Sequence, residues 1–385
     1  MILLKMIMKN AFRRKMRTGL TIVAMGIAIL AFGMLRTVLT AWYAGVDASS
    51  ASRLVTRNSV SLIFPLPLAY YDKIRHTSGV RAVSYGNWFG GIYISEKNFF
   101  ANFAVEPRSY LGLYPELMVP EKQMADFLRD RRGFIAGRKL ADRFGWKIGD
   151  NVTLKGTIFP GDWDFVLRGI YEGRTKTVDE TMFMFSWDYL NEGVKKMYPS
   201  MANQVGFYVI GVADPDLSAE VALEIDAMFA NSRAETLTES ERAFVMGFIS
   251  MTEAIVMVIR IVSLVVIVII LAVVANTMAM TTRERFGEYA VLKTLGYSGW
   301  HIGSLIMGEA LLITLAGCLL GLAMTYPMVR FFTTELGAYF PIFYVEPLTV
   351  WLDFGVAALV GTAAAIIPMR QAIRIRIADG LRRIG

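Results

Sequence analysis

The sequence has few of the residues that most often build reactive sites. It contains a single cysteine, Cys318, and only two histidines, His76 and His301. One cysteine excludes an internal disulfide framework and a multi-cysteine metal site. Two histidines so far apart in sequence leave almost no material for a zinc site or a Ser-His-Asp triad. We therefore predict that this chain has no catalytic residue and no metal ligand.

Phosphate-binding and hydrolase motifs are missing as well. The sequence has no G-x-x-x-x-G-K-[ST] phosphate loop, no H-E-x-x-H and no G-x-S-x-G, and no apolar run holds paired carboxylates. A chain without a phosphate loop is not expected to hydrolyse ATP alone. We predict a non-catalytic protein that binds no cofactor of its own.

Long apolar runs, in contrast, are abundant. Hydrophobic residues make up 55% of the chain, and a helix needs roughly 20 apolar residues to cross a bilayer. Four runs meet or approach this length: Leu20–Trp42, Ile261–Thr282, Ala310–Val329 and Phe354–Met369. The last becomes long enough only with residues 350–353, which include Asp353. The first is longer than the apolar core of a signal peptide, so we interpret it as a retained helix.

The basic residues predict the orientation of these helices. Short cytoplasmic loops are rich in Lys and Arg. In this chain the basic residues are concentrated in three places. Before the first run come Lys5, Lys9, Arg13, Arg14, Lys15 and Arg17; between the second and third runs come Arg283, Arg285 and Lys293; after the fourth run come Arg370, Arg374, Arg376, Arg382 and Arg383. The loop between the third and fourth runs has only Arg330. We predict that both termini are cytoplasmic and interpret the net charge of +7 as a topology signal, not as a sign of nucleic-acid binding.

The long segment between the first and second runs has the pattern of a folded domain. Turn signals such as Gly90-Gly91 and Pro160-Gly161-Asp162 separate short β-like runs from helical patches. The stretch Thr238–Thr282 has no proline and predicts one continuous helix, whose outer part would form a stalk. The fold class expected is therefore an α-helical membrane protein with four transmembrane helices and a large extracytoplasmic α+β domain inserted between helices 1 and 2.

The predicted organisation follows from these signals. It comprises a basic cytoplasmic N-terminus (1–19), the first membrane helix (20–42), the α+β domain with stalk helices (43–250), the second helix (251–282), a cytoplasmic loop (283–303), the third helix (304–330), a short outer loop (331–349), the fourth helix (350–369) and a basic cytoplasmic tail (370–385).

The cytoplasmic loop contains a short amphipathic pattern. Tyr289, Val291, Leu292 and Leu295 recur at helical spacing, and Gly296 follows as a helix terminator. An element of this kind either lies on the bilayer surface or docks onto a cytoplasmic partner. The residues alone leave both interpretations open.

Other residues in the apolar runs are candidates for more specific roles. Arg36 and Arg260, near the outer ends of helices 1 and 2, are expected to extend to the lipid headgroups, the alternative being an outward-facing cavity between subunits. Gly317 and Gly321 form a G-x-x-x-G that permits close helix contact, within the chain or in a dimer. Glu309, at a membrane end, is expected to be an interfacial carboxylate near water.

The cytoplasmic loop resembles the coupling-helix region of ABC-transporter permeases of the MacB/FtsX/LolC class. The matching residues are Arg285, Glu288, Tyr289, Ala290, Val291, Leu292, Lys293, Thr294, Leu295 and Gly296. Gly287 and Tyr289 depart from the usual pattern. Further resemblances lie at Met307–Gly321, Ala11–Ile22 and Gly145–Lys155, and in a degenerate C-terminal motif from Pro368 to Arg382.

The resemblance implies a permease subunit of a mechanotransmission ABC transporter in a bacterial inner membrane. Such a subunit pairs with a second permease, alike or different, and binds separate cytoplasmic ATPase subunits that hold ATP and Mg. Efflux with a periplasmic adaptor and an outer-membrane channel is the favoured function. The alternatives are lipoprotein or lipid extraction, cell-wall hydrolase regulation, and a membrane scaffold or signalling protein without transport. The sequence does not specify the substrate.

Overall fold

A computed structural model describes residues 2–250, 252–336 and 342–375. These residues form two compact units. The first, here called the membrane unit, comprises residues 2–41, 253–335 and 343–375. The second, the α+β unit, comprises residues 42–250 and 252 together with Leu336 and Ile342.

The helices of the described residues, in chain order, are α1 Ile2–Ala11, α2 Lys15–Ala48, α3 Tyr70–Arg75, α4 Pro107–Leu113, α5 Glu121–Arg129, α6 Arg138–Phe144, α7 Trp187–Met197, α8 Ser218–Phe229, α9 Glu241–Ser250, α10 Glu253–Glu284, α11 Phe286–Thr294, α12 Gly299–Leu336 and α13 Pro347–Arg374.

The strands are β1 Arg53–Asn58, β2 Leu66–Pro67, β3 Val80–Trp88, β4 Gly91–Ile92, β5 Asn102–Val105, β6 Leu117–Met118, β7 Gly133–Gly137, β8 Asn151–Gly156, β9 Gly161–Gly173, β10 Phe183–Ser186, β11 Gln204–Val205, β12 Phe207–Val212 and β13 Thr236–Ser240.

Four helices of the described residues are long and apolar enough to cross a membrane. The spans are Lys15–Val46, Glu253–Glu284, Gly299–Thr333 and Pro347–Arg374. The predicted class, an α-helical membrane protein with a large α+β domain, is confirmed. Each helix is longer than its apolar run, since the polar residues that flank the run are helical as well. The fourth helix thus covers the start of the predicted tail, while residues 376–385, with Arg376, Arg382, Arg383 and the end of the C-terminal motif, lie outside the described residues.

Close packing of α12 on α2 organises the membrane unit. A Cβ atom at Gly317 would lie 2.5 Å from the Cβ of Met25, and one at Gly321 would lie 2.7 Å from the carbonyl oxygen of Gly26. Any larger side chain at either position would therefore push the two helices apart. The G-x-x-x-G motif serves a contact within the chain.

The α+β unit is built on one large sheet. Its 11 strands run in the order β13-β1-β12-β3-β5-β10-β7-β9-β8-β4, with β6 paired to β9. Neighbours are antiparallel except β5 with β10 and β7 with β9. A cluster of fully buried phenylalanines fills the core: Phe89, Phe134, Phe165, Phe183 and Phe185. The rings of Phe134 and Phe183 stack 4.0 Å apart.

The continuous helix predicted for Thr238–Thr282 is wrong. Its first residues belong to strand β13, which pairs with β1. The carboxylate of Asp226 accepts hydrogen bonds from the backbone N–H and the hydroxyl of Thr238, at 2.9 and 2.8 Å. These contacts favour an extended backbone, so helix α9 starts only at Glu241. A turn at Thr252 then separates α9 from α10.

A buried arginine fixes the start of α9. Arg53 on β1 donates from Nε to Glu241, at 2.8 Å, and its guanidinium pairs with Glu116 at 2.6 Å. The same guanidinium lies 4.2 Å from the ring centre of Tyr114. A carboxylate in the first turn of a helix also interacts favourably with the helix dipole. The α9 helix is therefore anchored to the sheet of the α+β unit.

Candidate functional site

Helix α11 ends where the sequence predicts, and for the predicted reason. Gly296 has a φ of +89°, a left-handed conformation that glycine adopts without steric cost. Its N–H donates to the carbonyl of Lys293 at 3.0 Å, and the N–H of Tyr297 donates to the carbonyl of Leu292 at 3.1 Å. This pair of bonds is a Schellman motif, which satisfies the last carbonyls of the helix.

The apolar residues of α11 point in two directions. Successive residues are about 100° apart around a helix, so Tyr289 and Val291 cannot share one face. Tyr289 is only 1% exposed and packs in the core of the membrane unit, with Leu292 beside it. Val291 and Leu295, by contrast, are exposed, Leu295 by 70%. The apolar residues of the amphipathic pattern therefore do not all face the same way, since Tyr289 is buried and Leu295 is exposed.

The exposed apolar side chains continue beyond the end of α11. Tyr297 is exposed, and Trp300, in the first turn of α12, is 81% exposed. We call Val291, Leu295, Tyr297 and Trp300 the apolar patch. Large apolar side chains on such a surface are typical of an interaction site.

An ion-pair network holds the beginning of α11. Arg285 donates to Glu309 on α12 at 3.0 Å and to Glu288 on α11 at 3.1 Å. Arg13, between α1 and α2, also pairs with Glu288. The guanidinium of Arg285 lies 5.3 Å from the ring centre of Tyr289. One arginine thus links α11 to α12.

The structure corrects the expectation for Glu309. This carboxylate is only 4% exposed and is ion-paired, whereas the sequence suggested an interfacial group near water. A buried charge requires a partner of opposite sign. For Glu309 this requirement was the signal in the sequence that could have predicted an ion pair such as that with Arg285.

The network also affects the titration of the neighbouring groups of α11. Partial burial alone would raise the pKa of Glu288, but hydrogen bonds from Arg13 and Arg285 outweigh it and lower the pKa below its usual value. Burial raises the pKa of Tyr289 to about 12. At neutral pH, Glu288 is therefore ionised and Tyr289 is neutral.

The basic N-terminal segment contacts the end of α10. Arg17 and Arg14 each pair with Glu284, both at 3.0 Å. A carboxylate in the last turn of a helix is unfavourable for the helix dipole, and the two arginines offset that effect. Sequence reasoning interpreted these arginines as a topology signal and as part of a family resemblance, and it missed their contacts. Opposite charges on segments predicted to share one side of the membrane were the signal available.

Lys293 joins α11 to α13. Its ammonium donates to the carbonyl oxygens of Ile373 and Ile375, at 2.7 and 2.8 Å. Lysine commonly binds the unpaired carbonyls at the end of a helix in this way. Helix α11 is thus bonded to α12 and α13, and to the segment before α2.

The remaining candidates from the sequence do not gather at this site. Arg260 is exposed on α10, while Arg36 on α2 is half-buried. No hydrogen bond or ion pair between the two is present in the part of the chain that the structure describes. Among those same residues, no group of His, Cys, Asp and Glu is arranged to hold a metal ion.

Comparison with known families identifies the class of protein. Residues 260–377, which contain α11, α12, α13 and most of α10, match the family described as "FtsX-like permease C-terminal". The match defines a multi-pass membrane permease. This match over residues 260–377 supports the identification made from the sequence, an ABC-transporter permease of the MacB/FtsX family.

Solved structures with similarity to the chain come from several bacteria. The extracellular domain of the noncanonic ABC-type transporter YknZ from Gram-positive bacteria has 11% identity and a TM-score of 0.37, covering 49% of this chain and 100% of that one. The periplasmic region of MacB from Actinobacillus actinomycetemcomitans has 7% identity and a TM-score of 0.38, covering 53% and 95%. A putative permease domain from Porphyromonas gingivalis has 13% identity and a TM-score of 0.33, covering 49% and 90%. Comparison with curated proteins gives no match.

Proposed function

We propose that this chain is the transmembrane subunit of an ABC transporter in a bacterial inner membrane, with both termini in the cytoplasm. It converts ATP hydrolysis by a separate cytoplasmic ATPase into motion of the α+β unit. This unit lies outside the cytoplasm and is inserted in the sequence between the membrane helices α2 and α10. ATP and Mg belong to the ATPase, and a second permease subunit, identical or different, completes the complex.

The construction of α11 is the observation that carries this proposal. One side of the helix is bonded to the membrane unit through Arg285 and Lys293. Its other side presents Val291 and Leu295 of the apolar patch. A helix held in this way can transmit a force from a cytoplasmic partner to α12 and α13 while it remains bonded to both helices.

Replacing Leu295 with glutamate tests the proposal. The ATPase subunit is expected to co-purify with the unaltered chain, and Leu295→Glu is expected to weaken that association roughly tenfold or more, because a carboxylate buried at an apolar contact loses its hydration. The measurement is the dissociation constant of the ATPase for the permease in lipid nanodiscs, together with the rate of ATP hydrolysis by the complex.

Leu295→Met is the matched control, because it keeps an apolar side chain at the same exposed position. It is expected to bind and stimulate the ATPase as the unaltered chain does. Equal binding of the Glu and Met variants would contradict the assignment of α11 as the coupling helix. Failure of any ATPase to co-purify would instead favour a membrane scaffold without transport.

For the transport process, we propose efflux through a periplasmic adaptor and an outer-membrane channel. The α+β unit spans more than 200 residues from Trp42 to Thr252, and this size is the support for efflux over hydrolase regulation. Capture of partners by the full complex separates the remaining alternatives. An adaptor and a channel are expected; a diacylated lipoprotein in their place would indicate lipoprotein extraction.

A further inference from the structure

A buried carboxyl group lies unpaired within the fourth membrane helix. Asp353 on α13 is 0% exposed, and neither of its oxygens has a hydrogen-bond partner among the described residues. Thr349, one turn earlier on the same helix, is also fully buried, and its hydroxyl is also without a partner. Both residues lie within the span Pro347–Arg374.

Residues of α2 and α12 lie close to this carboxyl group of α13. A Cβ atom at Gly33 on α2 would lie 3.4 Å from Asp353 Oδ2 and 3.6 Å from the hydroxyl of Thr325 on α12. The hydroxyl of Thr325 donates to the carbonyl of Gly321 at 2.9 Å, and that of Thr37 donates to the carbonyl of Gly33 at 2.7 Å. Neither hydroxyl proton is therefore directed at Asp353.

No cation of the described residues pairs with this carboxyl group. The charged or titratable residues of the surrounding elements include Arg36 on α2, Arg260 on α10, Cys318, Tyr326 and Arg330 on α12, and Glu346, which directly precedes α13. Within the described residues, Asp353 forms no ion pair with any of them. An isolated ionised carboxylate inside a membrane protein is strongly unfavourable, and such a group takes up a proton instead.

We propose that Asp353 is a proton-binding site inside the membrane unit. In the arrangement described here, its carboxyl group carries a proton taken from water and is neutral. Release of that proton to water leaves a carboxylate that needs a cationic partner. Arg36 follows Gly33 by three residues, about one helical turn, and its Nε is buried without a hydrogen-bond partner. A rearrangement of α2 would bring this guanidinium to the ionised Asp353.

Glu309 provides an internal comparison. It is a second buried carboxyl group in the same unit, but Arg285 pairs with it at 3.0 Å. The two carboxyl groups are similarly buried, but we expect opposite protonation states for them. Asp353 carries a proton, and Glu309 is ionised.

Infrared spectroscopy of the full chain in lipid bilayers at pH 7 tests this proposal. The difference between the unaltered chain and Asp353→Asn is expected to show the carbonyl stretch of a protonated carboxylic acid. The matched variant Glu309→Gln is expected to remove carboxylate bands instead. A second variant, Asp353→Glu, keeps a carboxyl group and should shift the acid band, so the assignment can be tested even if the asparagine variant fails to insert.

Two results would overturn the proposal. One is a carboxylate signal from Asp353 at pH 7 that is insensitive to added ions, because the group would then be ionised without a proton. The other is a carboxylate signal that changes when sodium ions are added, because the site would then bind a metal cation. Loss of the acid band as the pH is raised, without dependence on sodium, is the result that the proposal requires.

Discussion

Replacement of Arg285 with methionine gives the sharpest test of how α11 is held. The change leaves Glu309, which is 4% exposed, without its cation. Removal of one partner from a buried ion pair costs about 3–5 kcal/mol. Arg285 also bonds to Glu288, but that side chain is 43% exposed and keeps Arg13, so this loss adds less than about 1 kcal/mol. We expect the free energy of unfolding to fall by about 3–5 kcal/mol.

The assay is equilibrium unfolding of the full chain in mixed micelles, followed by the helical circular dichroism signal. A change of about 4 kcal/mol corresponds to roughly a thousandfold shift in the unfolding equilibrium. Arg13→Met is the matched control, because Arg13 is 63% exposed and an exposed pair contributes only about 0–1 kcal/mol. The two variants remove the same charge at different depths.

The double variant Arg285→Met/Glu309→Leu removes both charges. Most of the lost stability is expected to return, since apolar residues of similar volume can replace a buried ion pair at little cost. The reasoning fails if Arg285→Met costs no more than Arg13→Met, or if the double-mutant cycle shows no coupling between Arg285 and Glu309. Either result would mean that the buried pair does not fix α11 on α12.

Three further predictions concern packing, backbone and pH. Gly321→Leu is expected to destabilise the membrane unit by about 1–3 kcal/mol or more through overpacking against Gly26, whereas Gly355→Leu, which faces open space, is expected to have little effect in the same unfolding assay. Gly296→Val is expected to cost about 1–2 kcal/mol, because a β-branched residue is strained at a φ of +89°; a helical signal and stability equal to those of the unaltered chain would refute this. The lowered pKa of Glu288 stabilises the folded state above the ordinary carboxylate range, and that contribution is lost as the pH falls through the folded-state value; Glu288→Gln should flatten this part of the pH–stability profile, and an unchanged profile would argue against the pairing with Arg13 and Arg285.

Local signals predicted much of the fold. The α+β unit does alternate short strands with helices such as α6 Arg138–Phe144 and α8 Ser218–Phe229, as the turn signals predict. The end of α11 at Gly296 also depends only on neighbouring residues, because the hydrogen bonds of a Schellman motif connect positions five or fewer apart. Features of this kind are encoded within a short window of sequence.

The features that sequence reasoning missed depend on contacts between distant segments. The break between β13 and α9 results from Asp226 and from pairing with β1, which lies far earlier in the chain. The pairing of Arg13 with Glu288 joins residues 275 positions apart. Periodicity cannot show which of two helix faces meets a neighbouring helix, so the spacing alone does not indicate that Tyr289 is buried and Leu295 exposed.

The attachment of α11 has a practical consequence for handling this protein. Arg13, close to the beginning of the chain, binds Glu288, and the carbonyls of Ile373 and Ile375, close to its end, bind Lys293. Helix α11 therefore depends on two segments that are distant from it in sequence, one at Arg13 and one at Ile373 and Ile375. Deleting the residues before Lys15 removes the attachment through Arg13 while leaving the four spans of the described residues in place. Affinity tags and reporter fusions are best separated from Arg13 and Ile375 by flexible spacers.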